Sequence, residues 1–227
     1  MSLRQAPAVE SSSSALMRVS VEALLRARVD GDLVLLDTGG GAMIGPPGGA
    51  LTYHCATGAT LAGIGWCPER DPAGLLVDLH GTVPVRSFPA FVRWFETGAG
   101  RESSQDGLLR EIRGELGEVG MPGLVDLVDD AQLAQVRTVV EGPAPTMVGH
   151  MMQTRRLAVY DLLPCALADA LAAFALDPAV PTVHAVPETA IADGWHGTTR
   201  IGTQAAYLSA DWVDRPGVTT LASTHGW

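Results

Sequence analysis

The stretch from Gly100 to Gly120, GRESSQDGLLREIRGELGEVG, leaves little freedom in how the chain around it folds. At about 100° per residue, Leu108, Ile112, Leu116 and Val119 share one helical stripe. Glu111, Glu115 and Glu118 fall within roughly 60° of one another on the adjacent stripe. The segment therefore predicts a helix over about 105–119, stopped by Gly120-Met121-Pro122, with an apolar edge to be covered and an acidic edge beside it. Acids in line repel by about 0.2–0.5 kcal/mol per adjacent pair. A hard divalent cation reverses that sign, because Mg²⁺ or Mn²⁺ takes carboxylate oxygens and water in an octahedral shell. Glu102, in the turn before the helix, reaches the same cluster. On spacing alone, a solvated acidic face paired with Arg110 and Arg113 is the commoner reading.

The rest of the chain supplies candidate layers for that helix. Ser20 is expected to cap a short helix over Val21–Arg28, and Asp30-Gly31-Asp32 is a turn before a strand over Leu33–Leu36. Thr38–Gly49 reads as an irregular glycine-rich loop. Strands are expected at Thr52–Cys55, Leu61–Trp66 and Leu75–Leu79, and a helix starts at Ser87-Phe88-Pro89 and ends at Gly98. Beyond the acidic helix, strands are expected at Arg137–Val140, Arg156–Tyr160 and Thr182–Ala185, with helices at Ala166–Leu176 and Thr198–Leu208. Strands and helices mixed in this order predict an α+β domain, a sheet with helices on both faces. Residues 1–15 and 213–227 read as tails around a single domain of residues 16–212.

Composition removes several functions. All 15 basic residues are arginine, so no lysine Schiff base, phosphate-loop lysine or Ser-Lys dyad exists. A net charge of −10 repels a nucleic-acid backbone and argues against duplex partners. The three cysteines have no CxxC spacing, which argues against a disulfide framework or a thiolate zinc site. The first residues lack the apolar core of a signal peptide, and the most apolar later run, Cys165–Leu176, is too short to span a bilayer. A cytoplasmic protein without membrane partners is expected.

Glu102, seven intervening residues, Arg110-Glu111-Ile112, then Glu115 and Gly117 resemble the Nudix box, G-x5-E-x7-R-E-U-x-E-E-x-G-U, where U is aliphatic. The resemblance implies that Glu111 and Glu115 bind Mg²⁺ or Mn²⁺, that Arg110 orients the glutamates, and that Glu102 is an additional or outer ligand. Three positions depart from the pattern. Glu96 stands where the box begins with glycine, Gly114 replaces the first acid of the E-E pair, and Glu118 sits where an aliphatic residue is expected. Glu118, one turn from Gly114, is placed to compensate as a ligand.

Pro46-Pro47-Gly48-Gly49-Ala50-Leu51 looks like the glycine-glycine turn that Nudix proteins place just before the box, but about fifty residues intervene here. With the aromatic run Phe88–Phe95 leading into Gly100-Arg101-Glu102, and with Pro187–Gly194 and Gly197–Gly202, the layout is similar to Nudix-like proteins associated with second-messenger nucleotidyltransferase (SMODS) systems. The implied fold is a Nudix-like mixed β-sheet sandwiched between α-helices. The implied activity is hydrolysis of a nucleoside diphosphate linked to another group, a small phosphorylated molecule being the partner and a homodimer the assembly. The alternatives are a Nudix-like module that binds a nucleotide or signalling ligand without hydrolysis, and a pathway enzyme whose substrate has no diphosphate.

Other features are weaker. Thr38–Gly45 fails G-x-G-x-x-G at Ile44. His150 and His196 lie in glycine-bordered loops. Asp129, Asp130 and Glu141 follow the box at a distance where an extra base can sit. Arg155 and Arg156 are candidates for pairing with phosphate, but they are adjacent on an expected strand, so at most one points into a given site. Trp66, Trp94 and Trp195 are candidates for stacking on a base.

Overall fold

The computed structural model describes residues 15–38, 40–70, 74–146, 151–209 and 217–221. The chain begins with a long strand, β1 (Leu16–Arg26), where a helix was expected. Both faces of this strand are covered. Met17, Val19, Val21, Ala23 and Leu25 enter one core cluster and Leu24 enters another. A strand buried on both faces loses the apolar–polar alternation that marks a half-exposed one. A short β2 (Arg28–Val29) turns at Asp30-Gly31 into β3 (Asp32–Leu36). Within the glycine-rich segment lie β4 (Met43–Ile44) and β5 (Gly48–Ala50), followed by β6 (Thr52–His54).

Gly58–Gly63 is a helix, α1, that overlaps the start of the expected strand at 61–66; its one buried residue, Leu61, anchors it to the core. Then come β7 (Cys67–Pro68), β8 (Leu76–Asp78), β9 (His80–Pro84), α2 (Phe88–Thr97) and α3 (Ser104–Glu118). Both α2 and α3 stand where the sequence placed helices. The long hairpin of β10 (Leu133–Pro145) and β11 (Met152–Leu162) extends well past its expected cores. α4 (Ala166–Leu176) and β12 (Val183–Val186) lie close to expectation, and α5 (Glu188–Asp193) follows. Thr198–Leu208 is not one helix: β13 (Trp195–His196) and β14 (Thr199–Ile201) pair, and a 3₁₀ segment covers Thr203–Leu208. β15 (Val218–Leu221), inside the stretch read as a tail, pairs with β10.

The main sheet runs β15-β10-β11-β1-β9-β7, with β5 also on β1. β1 is parallel to β11 and antiparallel to β9 and β5, so the sheet is mixed. Residues Phe91, Trp94 and Phe95 of α2, Leu108, Ile112 and Leu116 of α3, and Leu167 and Leu171 of α4 pack on one side with the odd-numbered residues of β1. Leu157, Val159, Ile191, Tyr207 and Leu208 pack on the other. The fold is thus α+β, a mixed sheet between helical layers. Among the described residues no helix is long and apolar enough to cross a membrane.

Candidate functional site

The site is built where a fifty-residue excursion leaves the chain and returns. Thr52 and Glu102 meet across a backbone bond, Glu102 N–H donating to the Thr52 carbonyl at 3.2 Å. Tyr53 bridges Arg101, and His54 N–H donates to the Gly100 carbonyl at 2.8 Å. Residues 53–100 are therefore an insertion whose ends touch, and the glycine pair at 48–49 stands beside α3 in space. Glu96, the residue in the box's first position by linear count, lies on α2 inside the excursion. Gly49 fills the role by contact: a Cβ there would fall 2.5 Å from Glu111 Oε2. At Gly48 the backbone has φ +128°, and a Cβ would meet the Ala23 carbonyl oxygen at 2.2 Å. Only glycine fits at Gly48, whereas at Gly49 a Cβ would displace the flexible end of the Glu111 side chain.

Arg110 is the hub. It donates through Nε to Glu102 Oε2 (3.1 Å), and through Nη2 to Glu102 Oε1 (2.6 Å) and the Ala50 carbonyl (2.7 Å). Its Nη1 is hydrogen-bonded to Glu111 Oε1. Glu102 Oε1 also accepts from Thr52 N–H at 2.6 Å. Both oxygens of Glu102 are thereby engaged, and the residue ties the two ends of the excursion to the helix. Glu111, half-buried, keeps Oε2 toward Gly49.

Glu115 accepts one hydrogen bond, from Gly48 N–H at 2.8 Å. Burial pushes its pKa up to about 8; the Gly48 bond pulls the other way, and Glu111 and Glu118 add repulsion. Among the described residues no cationic side chain pairs with it. A sequestered carboxylate facing two more acids, with no counter-charge of its own, fits a bound cation. Glu118, at the last turn, is exposed. Gly114 is open, with nothing within 4 Å of a Cβ. Among the described residues no group of three or more His, Cys, Asp or Glu side chains is gathered closely enough to hold a metal ion by itself.

The remaining candidates separate clearly. Asp129 is held by Arg113 at the surface, Asp130 is exposed, and His150 lies outside the described residues. His196 stands edge-on to His184, with ring centroids 5.8 Å apart. Trp66 and Trp94 are in the core, while Trp195 is 50% exposed. Arg155 and Arg156 do face opposite sides of the sheet: Arg155 pairs with Glu22 and Glu141, and Arg156 lies over Phe95.

Sequence reasoning missed Glu22, a charged residue only 6% exposed in the middle of β1. Its neighbour Ser20 pairs with His80 on β9 and Arg155 on β11, so side chains from three strands converge on its carboxylate. Ser20 Oγ donates to it at 2.5 Å, Gln204 Nε2 at 2.8 Å and Arg155 Nη2 at 3.1 Å. His80 Nε2 lies 3.4 Å away, an ion-pair distance without hydrogen-bond alignment. Burial alone would raise the Glu22 pKa, but His80, Arg155 and Ser20 outweigh it and hold the value at about 2. No sequence signal marked this acid, because His80, Arg155 and Gln204 are distant from it in the chain.

A mixed sheet between helices, with a glycine pair and an Arg-Glu helix brought together at one edge, is the frame of a Nudix-like domain. The chain belongs to the SMODS-associated NUDIX domain family, whose sequence profile matches residues 16–209. No curated protein and no solved structure matches it.

Proposed function

We propose that this chain is a metal-dependent hydrolase of a nucleoside diphosphate linked to another moiety, with Glu111 and Glu115 as the principal ligands of Mg²⁺ or Mn²⁺. The observation that supports this most is Glu115: a sequestered carboxylate with one backbone donor and no cationic partner. What Mg²⁺ or Mn²⁺ contributes when bound is neutralisation of a diphosphate and activation of water toward phosphorus. The protein's own part is to fix the acids. Arg110 holds Glu111 and Glu102, Gly48 N–H holds Glu115, and Gly49 leaves room for Glu111. Glu102, with both oxygens engaged, acts here as a brace, and exposed Glu118 can approach from the helix end.

Gly114 and the lack, among the described residues, of three gathered metal-ligating side chains favour a second reading, a module that binds a nucleotide or signalling ligand without hydrolysing it. Phosphate release from a panel of nucleotide sugars, dinucleotides and triphosphates separates the two. The hydrolase reading expects turnover of at least one diphosphate-linked compound, abolished by chelator and by Glu115→Gln. Binding of a panel member that persists in chelator, with no turnover, would establish the second reading instead.

A further inference from the structure

We propose that Arg156 and Arg101 form a binding site for a phosphate group of a ligand, distinct from the carboxylates of α3. Six of the described arginines are answered by acids: Arg18 by Glu69, Arg26 by Asp161, Arg28 by Glu188, Arg110 by Glu102 and Glu111, Arg113 by Asp129, and Arg155 by Glu22. Arg156, the most enclosed of the described arginines at 7% exposure, has no such partner. Its Nε is buried without an acceptor, and among the described residues its guanidinium makes no hydrogen bond or ion pair. In a chain with 25 acids to 15 bases, a buried cation left without an acid needs an explanation.

A second cation shares the ring beside it. Arg156 lies 5.2 Å from the centroid of the Phe95 ring, and Arg101 lies 4.0 Å from the same centroid. Arg101 is steered there by its bonds to two carbonyls, Nε to Phe95 O at 2.7 Å and Nη1 to Glu102 O at 2.8 Å, neither of which carries charge. A ring face attracts a guanidinium but satisfies none of its five N–H donors. Burial lowers the pKa of Arg156 to about 10, and Arg101 adds repulsion; the opposing pull comes from Tyr160 and Glu96. Tyr160 shares the strand face of Arg156 two pleats along, its acidity influenced by both arginines after burial.

Two neighbouring guanidiniums match a doubly charged phosphate, whose oxygens accept from planar forks, better than a singly charged carboxylate. The first turn of α3 is already capped by Ser103, whose Oγ accepts from Asp106 N–H at 3.1 Å, so the arginines and not the helix end define the site. Arg101 is half-buried, the more accessible of the two. The inference does not depend on hydrolysis at α3.

The test uses the full chain in chelator, which silences the carboxylates, with inorganic phosphate titrated by calorimetry and thermal unfolding against chloride of equal ionic strength. Phosphate is expected to bind one per chain and raise the Tm of the wild type. Binding should weaken at least tenfold in Arg156→Met and in Arg101→Gln, and stay unchanged in Arg93→Gln, an exposed position of α2. In chloride, Arg156→Met should be as stable as wild type or more so, because it removes a buried charge that nothing answers. Equal phosphate responses in wild type and Arg156→Met would overturn the site, as would acetate binding as tightly as phosphate. If Arg156→Met does not fold, Arg101→Gln decides: a phosphate response like that of wild type overturns the proposal.

Discussion

Glu22→Gln should change how stability depends on pH more than any other single substitution in the sheet. The carboxylate is held near a pKa of about 2, against an ordinary value of 4.5. A depressed folded-state pKa contributes stability above the unfolded value and loses it as pH falls through the folded value. At about 1.4 kcal/mol per unit, the shift corresponds to roughly 3 kcal/mol at pH 7. The same linkage leaves roughly half of that at pH 3, and little below pH 2. Urea unfolding at intervals from pH 7 to pH 3 measures this directly. The wild type should lose about 2 kcal/mol more than Glu22→Gln across that range. At pH 7 the variant should be weaker by about 3 kcal/mol, because Arg155 would keep only Glu141 as an acid partner in a buried setting. Parallel pH dependences in the two proteins would refute the reasoning, since they would show that the convergence of Ser20, His80, Arg155 and Gln204 does not stabilise the ionised acid.

Gly49→Ala should separate folding from the site. Its Cβ meets the movable tip of Glu111, so stability should change by no more than about 1 kcal/mol, while Mn²⁺ affinity falls at least tenfold. Gly114→Glu has open space for its side chain and should raise both helix stability, by up to about 1 kcal/mol, and Mn²⁺ affinity; unchanged affinity would show that the missing box acid does not limit binding. Phe91→Ala, removing a fully buried ring stacked 4.9 Å from Trp66, should cost about 3–5 kcal/mol by urea unfolding.

The acidic helix was legible because its period is local: Leu108, Ile112 and Leu116 point inward as the 3.6-residue repeat requires, and Arg110 reaches Glu102 and Glu111. α2 and α4 were readable for the same reason, with Ser87-Phe88-Pro89 and Gly98 marking the ends of α2. β1 was not, since Leu24-Leu25 beside Arg26 imitates an amphipathic turn when both strand faces are apolar. Thr203–Leu208 carried a helical pattern but is held as a 3₁₀ segment after β14, where Gly202 N–H bonds the Ile44 carbonyl at 2.8 Å. The split box could be quoted from the sequence but not joined. Its closure depends on contacts between Thr52–His54 and Gly100–Glu102, which no spacing rule encodes. Glu22 stayed hidden because a buried charge declares itself only through partners from other strands, whereas Arg156 was already a candidate for phosphate pairing and its burial was not legible.

The central claim, that Glu111 and Glu115 are gathered on α3 to hold a divalent ion, is tested most directly by titrating Mn²⁺ and following the free ion by electron paramagnetic resonance. Saturable binding is predicted for the wild type, lost in Glu115→Gln, weakened in Glu111→Gln and unaltered in the exposed control Asp130→Asn. Binding that survives Glu115→Gln undiminished, or a wild type that takes up no Mn²⁺, would contradict it.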